Sequence, residues 1–140
     1  LRKRKGVYFN LTLPNQDKTE IKYRSFTVGE TKELLVARDL KDPGAFVNTV
    51  MDTLGAAVEG VDVNNLPMYL TDFIFLQIYI KSGGDKINVR YNCPGEGCDH
   101  TMALQLNLDK VEIEYPEGFE ETKLIDVGDG MSVKLRVPTF

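Results

Sequence analysis

The stretch Tyr23-Arg24-Ser25-Phe26-Thr27-Val28-Gly29-Glu30-Thr31-Lys32-Glu33-Leu34-Leu35 decides the fold, because extended chain turns helical inside it. Thr27 followed three residues later by Glu30 is a capping box. The threonine oxygen can accept from the Glu30 amide, and the glutamate can reach back to the Thr27 amide. Such a cap is worth on the order of 1 kcal/mol, so the corner is well specified. Sequence before it reads as sheet, most of the chain up to Gly83 reads as helix, and sheet then returns.

On the N-terminal side, Val7, Phe9, Leu11 and Leu13 alternate with Tyr8, Asn10 and Thr12, the period of a half-buried strand. Pro14-Asn15-Gln16-Asp17 is turn chemistry. Ile21, Tyr23 and Ser25 share one face of a second strand and Lys22, Arg24 and Phe26 the other, which predicts an N-terminal hairpin. On the C-terminal side the capped helix is expected from Val28 to about Leu40. Asp42-Pro43 starts a second helix, with an N-cap residue followed by proline at the first helical position. Its apolar residues Phe46, Val47, Val50, Met51, Leu54, Ala57 and Val58 follow helical spacing, and Gly60 is expected to end it. Residues 61–67 read as loop.

Residues Thr71 to Ser82 have β-rich composition without alternation. Their flanks favour a helix: Thr71-Asp72 can cap it, and Lys81 with Gly83 can finish it. Being apolar on nearly all sides, it is expected to be central and buried. Beyond Gly83-Gly84 the period returns to two, with Ile87, Val89 and Tyr91 leading into Cys93-Pro94-Gly95-Glu96-Gly97-Cys98 and back through Met102, Leu104, Leu106 and Leu108. Val111, Ile113 and Tyr115 suggest another short strand. Leu124, Ile125 and Val127, the turn Gly128-Asp129-Gly130, and Val133, Leu135 and Val137 predict a last hairpin. The fold class expected is therefore α+β: an N-terminal β-hairpin, three helices and a C-terminal antiparallel β-meander, with the helices covering one sheet face.

The order of several weak features resembles the T4-type bacteriophage baseplate hub protein family. The features are Tyr23, Arg24, Phe26, Thr27, Val28, Glu30, Lys32, Leu34 and Leu35, then Leu66-Pro67, an apolar helix reaching Lys81-Ser82-Gly83, and a strand running into Cys93 and Cys98. The resemblance covers roughly residues 20 to 138 and supports a helix over Thr71 to Ser82. It implies a non-enzymatic structural or assembly protein of the tail baseplate hub. Its partners would be other phage tail baseplate hub proteins, met in the host cytoplasm during assembly or in the virion tail baseplate.

Bulk properties agree with a protein that works through surfaces. The 140 residues suit a single α+β domain over residues 1–140, long enough to bury nearly 70% of its unfolded surface, roughly, around one core. Hydrophobic residues make up 42% and charged residues 27%, with a net charge of −4. That charge argues against bulk attraction to nucleic acid or an anionic membrane. The longest apolar run, Phe73 to Ile80, is too short to span a bilayer. Two cysteines without a secretory signal point to a soluble intracellular protein. The chain opens without methionine and stops directly after a strand-like run, which suggests a fragment of a longer protein.

Little in the sequence asks for catalysis. His100 is the sole histidine, Ser25, Ser82 and Ser132 sit in no nucleophile elbow, and no glycine-rich phosphate loop precedes a helix. Carboxylates crowd only residues 109–129, where a solvated strand edge explains them. No small-molecule substrate is expected. The one pointed constellation is Cys93, Cys98 and His100 at a hairpin tip, half of a zinc-ribbon knuckle plus one histidine. It is one ligand short of a structural zinc site, so reduced thiols, a local disulfide and zinc all stay open. No cofactor is expected in the isolated chain. Together with the basic run Arg2-Lys3-Arg4-Lys5, the tip also suggests an alternative, a zinc-ribbon-like nucleic-acid-binding adaptor. Tyr23, Arg24 and Phe26 have two readings: strand residues packing on the first helix, with Arg24 answering a carboxylate, or aromatic and arginine anchors of an interface.

Overall fold

The computed structural model describes residues 6–140, an α+β arrangement of seven strands and three α-helices. Strands β1 (Tyr8–Thr12) and β2 (Glu20–Arg24) form the N-terminal antiparallel hairpin, with Tyr8 opposite Arg24 and Thr12 opposite Glu20. The capping box then launches α1 (Val28–Asp39) with both arms made. The Thr27 amide donates to Glu30 Oε2 at 2.7 Å, and the Glu30 amide donates to Thr27 Oγ1 at 3.3 Å. Helix α2 (Pro43–Ala57) starts as its proline requires, with Asp42 Oδ1 accepting from the amides of Gly44 and Ala45.

Beyond Ala57 the structure departs from the helical reading. Val58 is not the last apolar residue of α2; Val58–Glu59 is a short strand, β3, pairing antiparallel with Lys22 and Tyr23 of β2. A β-branched valine with an edge of β2 beside it gains more from the ladder than from one further helical turn. Gly60 then turns the chain at φ +104, where a Cβ would meet the Glu20 carbonyl oxygen at 3.3 Å.

Helix α3 (Met68–Gly83) confirms a helix for the ambiguous segment, with two corrections. It starts three residues before Thr71, with Pro67 at the N-cap and no side-chain cap. The Met68 amide instead donates to the Pro138 carbonyl at 2.9 Å, so the end of the chain supplies the missing acceptor. Nor is α3 buried all round: Leu70, Thr71, Ile74 and Ile78 form one buried stripe, while Tyr79 is exposed.

The core gathers Leu13, Ile21, Tyr23, Leu54, Leu70, Ile74 and Ile78, from the N-terminal sheet, α2 and α3. After α3 come the antiparallel pair β4 (Lys86–Asn92) and β5 (Thr101–Asn107), then the pair β6 (Thr122–Gly128) and β7 (Met131–Arg136). They are two separate two-stranded sheets, and not one residue of the four strands is buried. Val111, Ile113 and Tyr115 form no strand. Ile113 packs against the core and Tyr115 stacks on Phe119, so their alternation reflects packing of an irregular segment.

Candidate assembly surface

The β4–β5 register sets Ile87 opposite Leu106, Val89 opposite Leu104 and Tyr91 opposite Met102. Directly opposed residues of an antiparallel pair share a face, so six apolar side chains line one side. The other side carries Lys86, Asn88, Arg90 and Asn92 against Thr101, Ala103, Gln105 and Asn107. Tyr91, Met102, Leu104 and Leu106 all remain about half exposed. Their alternation is that of a strand with a core to cover, yet among the described residues no core lies over it.

The β6–β7 pair repeats the pattern. Ile125 faces Val133 and Lys123 faces Leu135, with Val127 and Met131 near the tip and a bulge between Asp126 and Gly128. Val127 and Met131 are more than half exposed, and Leu124, on the opposite face beside Lys134, is exposed as well. An isolated two-stranded hairpin is marginal in water, and a contiguous exposed apolar face is the mark of an interaction site.

The root of β6–β7 is fastened. The Val137 amide donates to the Glu121 carbonyl at 3.0 Å, and the Tyr69 hydroxyl of α3 donates to Glu121 Oε1 at 2.7 Å. Burial, with the Tyr115 and Glu121 contacts, raises the Tyr69 hydroxyl far above its ordinary pKa. Tyr69 meets Tyr115 and Phe119 edge-on, and the Tyr115 hydroxyl donates to the Pro14 carbonyl. Beyond β7, Thr139 bridges to Pro67, and Phe140 lines a small apolar cleft with Phe46, Val50 and Phe75.

Tyr23, Arg24 and Phe26 are positioned by the β2–α1 corner. Tyr23 is buried in the core, its ring against Phe9, and burial raises its hydroxyl pKa. Arg24 is buried too and pairs with Glu30 in two parallel hydrogen bonds. Phe26 is partly buried against Phe75. The carboxylate answering Arg24 is thus the capping glutamate itself. In this conformation Tyr23 and Arg24 present almost no surface, and Phe26 presents some.

At the β4–β5 tip, Cys93 and Cys98 are both exposed free thiols. The Cys98 amide donates to the Gly95 carbonyl and the Cys93 amide to the His100 carbonyl, which closes the turn. Contacts with the Gly95 backbone and the Cys98 thiol lower the Cys93 pKa. The tip therefore brings the two cysteines together. Among the described residues, no group of three or more His, Cys, Asp or Glu side chains is arranged to hold a metal ion. The basic run that the adaptor reading also invoked lies outside the described residues.

Every buried side-chain polar atom among the described residues has a hydrogen-bond partner, so none is left aimed at an absent ligand. No helix among them is long and apolar enough to cross a membrane. A family model described as T4 bacteriophage base plate protein matches residues 7–140. No curated protein and no solved structure matched the chain.

Proposed function

The chain belongs to the T4 bacteriophage base plate protein family, and from that premise we propose that it serves the hub of the tail baseplate. It acts there without catalysis, as a structural component or an assembly protein, by recognising other hub proteins. The observation that carries this reading is the pair of C-terminal hairpins, whose apolar faces stay largely uncovered among the described residues. The 140 residues work as one α+β domain. Its core holds the N-terminal sheet and the helices while the hairpins offer binding surface. Recognition begins in the host cytoplasm, where hub intermediates form.

The test is a pull-down of the tagged chain from infected cells, beside mass spectrometry of purified virions. Hub proteins in the pull-down are expected, and presence in the virion distinguishes a component from an assembly factor. A chain that retains no baseplate protein and is missing from virions would overturn the proposal.

A further inference from the structure

Helix α1 is weakly anchored. Ala37 is its only buried residue, although helices in proteins draw most of their stability from packing an apolar face. The cap and the Arg24 clamp hold its start, while Val36 and Leu40 stay exposed further along. Beside it, between α1 and α2, runs a groove of about 730 Å³.

The two walls match. Gly29, Glu33 and Val36 of α1 with its C-cap Leu40 line one side; on α2, Ala45, Thr49, Asp52 and Ala56 line the other. Both sets follow the same four-three-four spacing, which keeps each on one helix face for three turns, about 16 Å. The Thr49 hydroxyl donates to the Ala45 carbonyl at 2.8 Å and the Thr53 hydroxyl to the Thr49 carbonyl at 2.6 Å. Both hydroxyls donate within their own helix, so apart from Asp52 the α2 wall offers small side chains with no free hydroxyl proton. Glu33 and Asp52, one on each wall, have no ion-pair partner among the described residues. Glu30 is neutralised by Arg24, and Lys32 is the one cation lining the groove.

From this geometry we propose that the α1–α2 groove receives one amphipathic helix of another baseplate protein. The occupant carries large apolar side chains along about three turns, flanked by lysine or arginine that meet Glu33 and Asp52. A strand is a poor occupant, because paired helices offer no row of free backbone groups to pair with. A second copy docking through α1 would bring Glu30, Glu33 and Asp39 along with Lys32 and Arg38, so it lacks the net basic flanks that Glu33 and Asp52 call for. The proposal rests on the baseplate reading above and adds the site and the chemistry of the partner.

The experiment places a photo-crosslinking amino acid at Val36 or Thr49, and separately at Leu104 on β5, in the full chain within infected cells. The crosslinked peptides are identified by mass spectrometry. Val36 and Thr49 are expected to capture the same helical segment of a baseplate protein, rich in lysine or arginine. The charge reversal E33K/D52K should cut that yield about tenfold, as for opposed charges at an interface, with unchanged circular dichroism. Capture from Leu104 without capture from the groove would overturn the groove alone. Capture of another copy of this chain, or of an acidic or extended segment, would also overturn it. No capture from any position would overturn the baseplate-partner reading as well.

Discussion

Arg24 grips Glu30 through two parallel hydrogen bonds, Nη1 to Oε2 at 2.9 Å and Nη2 to Oε1 at 2.7 Å, while Glu30 also accepts from the Thr27 amide. The same guanidinium donates to the Ala56 carbonyl near the end of α2 at 2.9 Å. One side chain thus ties β2 to the start of α1 and the finish of α2. Arg24→Met should destabilise the fold by about 3 kcal/mol, because it strands a shielded carboxylate and a helix-end carbonyl. Arg24→Lys should recover only part, since an ammonium cannot make the fork. Equilibrium denaturation reads both, and equal midpoints for Lys and wild type would contradict the geometry.

The cap is separable from the clamp. Thr27→Ala removes the hydroxyl that receives the Glu30 amide but leaves Arg24 and Glu30 paired, so a loss of about 1 kcal/mol is expected. Urea denaturation measures it. An unchanged midpoint would mean that the corner is set by Arg24 alone.

Acid should reach this corner only at lower pH than it reaches an ordinary glutamate. The Arg24 hydrogen bonds, with those from Thr27, outweigh the opposing effect of burial and hold the Glu30 carboxyl at about 2, against an ordinary value of 4.5. A depressed folded-state pKa stabilises above the unfolded value and is lost as pH falls through the folded one. Allowing for solvent screening, Glu30 should contribute about 1–2 kcal/mol near neutrality. That contribution declines as pH drops from 4.5 toward 2. Stability curves for wild type and Glu30→Gln should converge across that interval. Parallel curves would refute the linkage.

The hairpin faces should matter for assembly and little for stability. The double substitution Val89→Ser with Leu104→Ser alters an opposed pair on the apolar face of β4–β5. Because that pair covers no core, the midpoint of the main transition should move by no more than about 0.5 kcal/mol. Retention of baseplate proteins in a pull-down should fall sharply. A large stability loss would instead show that the face is packed in solution.

At the tip, Cys93 should alkylate faster than Cys98 with iodoacetamide at neutral pH, because its lowered pKa enlarges the thiolate fraction. Cys98→Ser should slow Cys93 by weakening the contact that favours its thiolate. Equal rates would remove the basis for pairing the two thiols. Stoichiometric zinc, retained through dialysis and lost in Cys98→Ser, would overturn the expectation of no metal in the isolated chain.

Short-range chemistry carried most of the legible structure. Thr27 with Glu30, and Asp42 with Pro43, mark helix starts within a few residues, and alternation marks the paired strands on either side of Cys93 and Cys98. What stayed hidden depends on distant partners. The start of α3 is completed by the Pro138 carbonyl, and β3 exists because β2 offers Val58 an edge. The Val111–Tyr115 alternation looks like a strand, but only the structure reveals that no second strand lies beside it. The candidate surface was hidden for a related reason. Alternation tells which face of a hairpin is apolar, whereas it cannot tell whether anything within the chain covers that face. Glu30 was legible as a cap, and its second bond to Arg24 needed the corner to be folded.

The fastening at Glu121, Tyr69 and Pro138 leaves β6–β7 clamped at one end and open at the other. Such a hairpin is a cantilever: bending displacement accumulates with distance from the support and is largest at the Gly128–Gly130 turn. A ligand gripping the tip must quench that sway and loses entropy in doing so, whereas one gripping near Lys123 and Leu135 meets surface already held still. Force applied at the tip is in turn delivered as torque at Tyr69 and Met68, the first turn of α3 and the edge of the core.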